Sequence, residues 1–154
     1  RLSDMAFGST TAKWMTILSC NMLNGNAITS LANHSKLPDN GNLHLLLGFN
    51  SYSYTEPYLG VYYASNLVTK VTIHDSFINA CRQSYSSADQ NTNNISIMTQ
   101  PVTVRIMGYN SCFGDTLYLY NDPDPKYGLY FEETGVLTPM PRDVFCTWRR
   151  SLSA

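Results

Sequence analysis

Charge is what this chain has least of. Asp, Glu, Lys and Arg make up 14% of its 154 residues, and the formal net charge is -1. With no basic excess there is no electrostatic footprint for nucleic acid, so none is expected as a partner. No apolar run approaches the roughly 18 residues that a membrane span requires, so no membrane insertion is expected. The four cysteines, Cys20, Cys81, Cys112 and Cys146, are far apart. Without a C-x-x-C pair their spacing argues against a zinc site. His34, His44 and His74 stand alone, none placed to share a metal with another histidine at i, i+2 or i, i+4. Neither a glycine-rich phosphate loop nor a G-x-S-x-G nucleophile elbow occurs. These gaps lead to the expectation of a non-enzymatic domain with no cofactor and no bound metal.

With charge so sparse, neutral polar groups must cover the surface. The chain carries 16 Ser, 14 Thr, 14 Asn and 11 Tyr. That mixture suits strands and turns and depresses helix. At this length one domain can bury a core without staples, so the cysteines read as reduced thiols. An even count leaves a disulfide framework open, with three connectivities. Two sequons, Asn33-His34-Ser35 and Asn94-Ile95-Ser96, matter only in a secretory compartment.

The stretch Ala12 to Asn33 organises the order of elements. It reads as two strands folded about Asn24-Gly25, the dipeptide that best suits a type I′ hairpin turn. In the first arm Trp14, Thr16, Leu18 and Cys20 alternate with Met15, Ile17 and Ser19. Both faces carry apolar residues, so this strand is expected to be covered on both sides. Further strands are expected at Leu43 to Phe49, Tyr58 to Ala64, Leu67 to His74, Ile95 to Met98, Pro101 to Met107, Thr116 to Tyr120, Leu129 to Glu132 and Val144 to Arg149. One short helix is admitted at Asp75 to Tyr85, on the stripe Phe77, Ile78 and Cys81. Ser84 to Asn94 reads as a long solvated loop. The pattern of about eight to ten short strands with regularly spaced turn signals implies an all-β sandwich or barrel.

Catalytic chemistry is hard to assemble from these residues. His74-Asp75-Ser76 contains triad residue types, but adjacency in sequence is not triad geometry. Asp122, Asp124, Glu132 and Glu133 offer calcium-type oxygens, yet read more simply as an acidic turn and a strand end. The tyrosines are too many for one core. Tyr gives rigid amphipathic contact area at low entropic cost, as in antibody paratopes. Tyr52, Tyr54 and Tyr85 are expected in exposed loops, whereas Tyr118 and Tyr120 are expected to pave a sheet.

Four blocks carry a resemblance. AKWMTILSCNMLNG followed by AITSLAN looks like paired strands early in adenovirus fibre heads, and NLHLLLGF resembles the next strand of that family. QPVTVRIMGYN is similar to a late Pro-Val-Thr strand of those heads, and VFCTWRRSL stands where their terminal aromatic strand stands. The commonest heads open with a Thr-Leu-Trp-Thr strand and carry a long first loop, both lacking here, so a divergent non-mammalian virus fits better. The resemblance implies residues 1–11 as the end of a shaft or a lead-in from a longer protein, and 12–154 as a receptor-binding head. It further implies an antiparallel β-sandwich of about eight to ten short strands that forms a homotrimer at the virion fibre tip, assembled in the host nucleus, attaching to a cell-surface protein or, preferably, a sialylated glycan. Arginine is the best anchor for a sialic acid carboxylate because its fork matches it bidentately. Arg82 beside Ser84 and Tyr85, then Arg105, are the expected anchors, with Tyr52 and Tyr54 as apolar faces. A hydrolase or esterase domain and a purely structural capsid or tail-fibre module are the alternatives.

Overall fold

The structure is a computed structural model that describes residues 12–24, 43–51, 58–91, 102–122, 129–137 and 148–151. Five strands form one sheet: β1 (Trp14–Thr16), β2 (Leu45–Phe49), β3 (Val102–Tyr109), β4 (Leu129–Leu137) and β5 (Trp148–Ser151). They lie side by side in sequence order, with β1 parallel to β2 and the other three pairs antiparallel. Two helices, α1 (Leu59–Val68) and α2 (Ile73–Asn91), fill the connection between β2 and β3. No helix among the described residues is long and apolar enough to cross a membrane.

β2 is the middle of the core because both its faces are covered. All five residues, Leu-Leu-Leu-Gly-Phe, are buried, the near-continuous apolar reading of a doubly covered strand. Phe49 meets Phe77 and Tyr85 of α2 at ring-centroid distances of 5.7 and 6.3 Å. The pairing register puts Leu47, Val104, Ile106, Glu132 and Thr134 on this helix-covered face. Leu46, Gly48, Arg105, Met107, Phe131 and Glu133 take the other. There the Leu23 segment lies against Gly48, and Leu23 N–H donates to the Phe49 carbonyl.

The expected strand content holds in its coarser form, but the described residues make one mixed sheet with helices, not two facing all-β sheets. The first correction is Tyr58 to Ala64 and Leu67 to His74, expected as strands. Leu59, Tyr62, Tyr63, Asn66 and Leu67 recur at i, i+3, i+4, i+7, i+8 on the inward side of α1, while Gly60, Val61, Ala64, Ser65 and Val68 are exposed. Burial on that stripe overrides the β propensity of Val and Tyr. The second is the loop expected from Ser84. The helix expected at Asp75 to Tyr85 is there, but it starts earlier and runs to Asn91. Ile73, Ser76, Phe77, Ala80, Cys81, Ser84 and Tyr85 form one buried stripe. Thr72 caps the helix, its Oγ1 accepting from Asp75 N–H at 2.9 Å, the first half of a Thr-x-x-Asp capping pattern.

The third correction concerns the hairpin. β1 ends at Thr16 and the chain turns over Ser19 to Leu23, ahead of Asn24-Gly25. Asn21 supplies the positive φ of 52°, which Asn tolerates better than most residues. The expected return arm and the Ile95 to Met98 strand lie outside the described residues. Thr116 to Tyr120, also expected as a strand, is an irregular loop. Thr116 accepts at Oγ1 from the Tyr118 and Leu119 N–H groups and so folds it on itself.

At Gly108 the paired strand β2 leaves no room for a side chain. A Cβ there would stand 2.3 Å from the His44 carbonyl oxygen and 2.6 Å from Leu45 Cδ2. The backbone oxygen cannot move aside without disrupting β2. Gly108→Ala should therefore cost about 2–3 kcal/mol, read as a lowered urea midpoint at unchanged slope.

Candidate functional site

The densest polar arrangement is built on Asp115, which follows the short 3-10 turn Asn110–Cys112 at the end of β3. Its side chain is fully buried. Oδ2 accepts from Trp14 Nε1 at 3.0 Å and stands 2.5 Å from His44 Nδ1, while Oδ1 accepts from Asn121 N–H at 3.1 Å. Its backbone joins in: the carbonyl accepts from Ile73 N–H, the first residue of α2, and its N–H donates to the Cys112 carbonyl. One residue thus ties together β1, the start of β2, the start of α2 and the loop after β3. A buried carboxylate is tolerated only when its lone pairs are used this fully.

Cys112 completes the cluster. One ligand-type atom each from His44, Cys112 and Asp115 lies within 4.8 Å of the other two, and all three side chains are buried. The Cys112 thiol donates to the Asn121 carbonyl at 3.7 Å. Burial, aided by the negative charges of Asp115 and Asp122, pushes this thiol up to about 11. Burial pushes the Cys81 thiol up further still. Neither is a resting thiolate nucleophile. His44 is walled by aromatic edges, with ring centroids 6.0 Å from Trp14 and 5.8 Å from Tyr120, and its Nε2 is buried without a hydrogen-bond partner among the described residues.

Above this cluster the loop presents four consecutive large apolar side chains to solvent. Leu117 is 40% exposed, Tyr118 61%, Leu119 75% and Tyr120 44%. Lys13 Nζ sits over the Tyr120 ring, 4.2 Å from its centroid. Exposed hydrophobic residues scattered singly mean little, whereas a contiguous group marks a contact surface.

The residues expected to hold a sialic acid do not form this surface. Ser84 and Tyr85 are fully buried on the inward stripe of α2. Arg105 is 7% exposed, and its guanidinium is taken by Glu133 Oε2 and the Leu23 carbonyl. It also lies over the Phe131 ring, on the sheet face turned away from the helices. Arg82 is half-buried on α2, so the two expected anchors are on opposite sides of the sheet. Tyr52 and Tyr54 lie outside the described residues. The tyrosine expectation is inverted for the rest, since Tyr118 and Tyr120 are the exposed ones. Thr-Leu-Tyr-Leu-Tyr alternates as a strand would, but Thr116 Oγ1 accepts from the Tyr118 and Leu119 N–H groups and folds the segment into a solvated turn.

His74 is no triad base either. Nδ1 bonds Asp75 Oδ1 at 2.7 Å and Nε2 bonds Glu132 Oε1 at 2.5 Å, so both ring nitrogens are engaged by carboxylates. Ser76 Oγ has no hydrogen-bond partner among the described residues. The acidic residues do not gather around an ion: Glu132 serves His74, Glu133 serves Arg105 and Asn50, Asp122 is exposed and Asp124 lies outside the described residues.

Residues 1–134 match the family described as a domain of unknown function (DUF6345). The chain belongs to that family. No curated protein and no solved structure matches it. In this DUF6345 domain the buried cluster is built by His44, Cys112 and Asp115. No pattern of close spacing announces the whole site, because His44 reaches the turn that carries Cys112 and Asp115 only through β2–β3 pairing. One local signal was available: Cys112 and Asp115 share a turn, as Cys-x-x-Asp.

Two consequences can be measured. Asp115→Ala would leave Trp14 Nε1, His44 Nδ1 and Asn121 N–H without their acceptor. Removing one member of a buried polar pair costs about 3–5 kcal/mol, a large part of a domain's roughly 5–15 kcal/mol, so this variant should unfold at much lower urea. The second consequence is pH dependence at His74. Burial works against its charged form, but the hydrogen bonds and negative charges of Glu132 and Asp75 outweigh it, and the imidazole is held above its ordinary value. The stabilisation is therefore full below about pH 6.5, the unfolded-state value, and is lost as pH rises through the higher folded-state value. Urea midpoints measured across that window should fall with pH, and His74→Gln should flatten the profile.

Proposed function

We propose that this domain is a non-enzymatic recognition module whose contact surface is the loop Leu117 to Tyr120, and that its ligand is an acidic glycan of the sialylated class. The observation that carries the reading is the run of four exposed apolar and aromatic side chains on a loop held from beneath by Asp115. A loop so anchored presents its rings without a large ordering cost on binding. Tyrosine rings offer flat apolar faces to sugar C–H groups and keep a hydroxyl for hydrogen bonding. Lys13, at the edge of the same patch, supplies the positive charge that a carboxylated sugar requires. The anchor is thus a lysine point charge in place of the bidentate arginine that the sequence suggested.

In this reading the domain attaches its parent protein to a cell surface, as a fibre head does. Single sugar sites are weak, with Kd of about 1 mM, so useful attachment calls for several copies acting together, and a homotrimer would supply three.

The test is a titration followed by NMR or calorimetry with 3′-sialyllactose and with lactose. Sialyllactose should bind near 1 mM, lactose at least about tenfold more weakly, and Tyr118→Ala or Lys13→Ala should abolish saturation without altering the circular dichroism spectrum. Equal response to the two sugars would remove the acidic-glycan assignment. No response of the Leu117 to Tyr120 resonances to either would remove the recognition surface itself.

A further inference from the structure

The recognition reading leaves the buried cluster beneath the loop unused. We propose that His44, Cys112 and Asp115 together bind one divalent transition-metal ion, with zinc the best-matched occupant.

The first support is geometric. The three candidate ligand atoms lie within 4.8 Å of one another, and His44 Nδ1 and Asp115 Oδ2 are 2.5 Å apart. In a tetrahedral zinc site with bonds of about 2.0–2.3 Å, neighbouring donors stand about 3.3–3.8 Å apart. Shifts of about an ångström convert one arrangement into the other. The second support is the imidazole itself. Its side chain is fully buried, yet Nε2 has no hydrogen-bond partner among the described residues. Buried polar atoms are nearly always satisfied; of the two ring nitrogens the fold uses only Nδ1, on Asp115, so an ion between ring and carboxylate would replace that one contact without stranding a further polar atom.

Donor chemistry selects the metal. One nitrogen, one sulfur and one carboxylate oxygen form a borderline set that suits zinc, whereas calcium and magnesium prefer all-oxygen shells. Three protein ligands leave a fourth position for water or an incoming group. Supporting contacts of the usual kind are in place, since Trp14 Nε1–H and Asn121 N–H orient the carboxylate and Ser111 Oγ lies 3.7 Å from the Cys112 sulfur. As the metal–sulfur bond forms, the thiol proton passes to solvent. The ion would pin the start of β2 to the turn after β3, at the root of the aromatic loop. This proposal does not depend on what the loop recognises.

Cobalt(II) is the probe. Full-length chain, stripped with chelator and titrated with Co²⁺, should bind one ion per chain. It should show a thiolate-to-cobalt charge-transfer band in the near ultraviolet, and zinc should displace the ion. Cys112→Ser should lose that band and Cys20→Ser should keep it. His44→Gln should weaken cobalt binding by more than the ~10–100-fold that loss of a supporting contact costs. Should Cys112→Ser fail to fold by circular dichroism, zinc-edge X-ray absorption on the unmodified protein decides. One sulfur at about 2.3 Å with nitrogen and oxygen at about 2.0–2.2 Å is expected. Absence of one-to-one binding, a charge-transfer band that survives in folded Cys112→Ser, or a zinc shell without sulfur would each overturn the site.

Discussion

The fold depends on a buried carboxylate. Hydrophobic burial accounts for the sheet and the two helices packed on it, but non-directional burial does not fix how the elements meet at one end. Asp115 does that by accepting three hydrogen bonds at its side chain and one at its carbonyl, from four different stretches of chain. Such an arrangement costs desolvation that only near-complete pairing offsets. It works as a register device: the short parallel strand β1, with only three residues on the ladder, gains from Trp14 a contact that its backbone pairing alone would not supply. The polar hub and the apolar core therefore have separate tasks, one setting position and the other supplying stability.

The same division explains what the sequence disclosed. β2 and β3 were legible because Leu-Leu-Leu-Gly-Phe and Val-Thr-Val-Arg-Ile-Met carry their burial in their composition. The buried helix Asp75 to Tyr85 was legible from Phe77 and Cys81. α1 was not, since Tyr62, Tyr63 and Val61 favour strands by type, and only their spacing on the inward face reveals a helix. The extension of α2 was hidden by its serines. Ser84, where the loop was expected to begin, is small enough to sit in a packed face, and a polar letter there reads as solvent exposure. The hub was invisible for a different reason. His44 is brought to the Cys112–Asp115 turn by the antiparallel register of β2 and β3, a relationship that no local window contains.

The candidate surfaces follow the same logic. Arg82 and Arg105 looked like ligand anchors because free guanidinium groups usually are. Here Arg105 is consumed by Glu133 and a backbone carbonyl on a sheet face covered by the Leu23 segment. Exposure moved instead to Leu117 through Tyr120, where a turn set by Thr116 turns an alternating sequence outward. Charge scarcity makes this consistent. The largely buried pairs Arg105–Glu133 and His74–Glu132 spend their charges on architecture, while the solvent-facing loop carries aromatic and aliphatic groups.

Trp14 adds a property of another kind. Its indole N–H bonds the hub, and its ring meets His44 and Tyr120 edge-on at 6.0 and 5.7 Å. Only one other tryptophan occurs, Trp148, on the strand at the opposite side of the five-stranded order. Four strand spacings of about 4.8 Å separate the two strands. The fold has in effect placed a fluorophore at the junction of loop, hub and sheet. Any change in hydration, protonation or occupancy at that junction alters the colour or lifetime of light the molecule already emits.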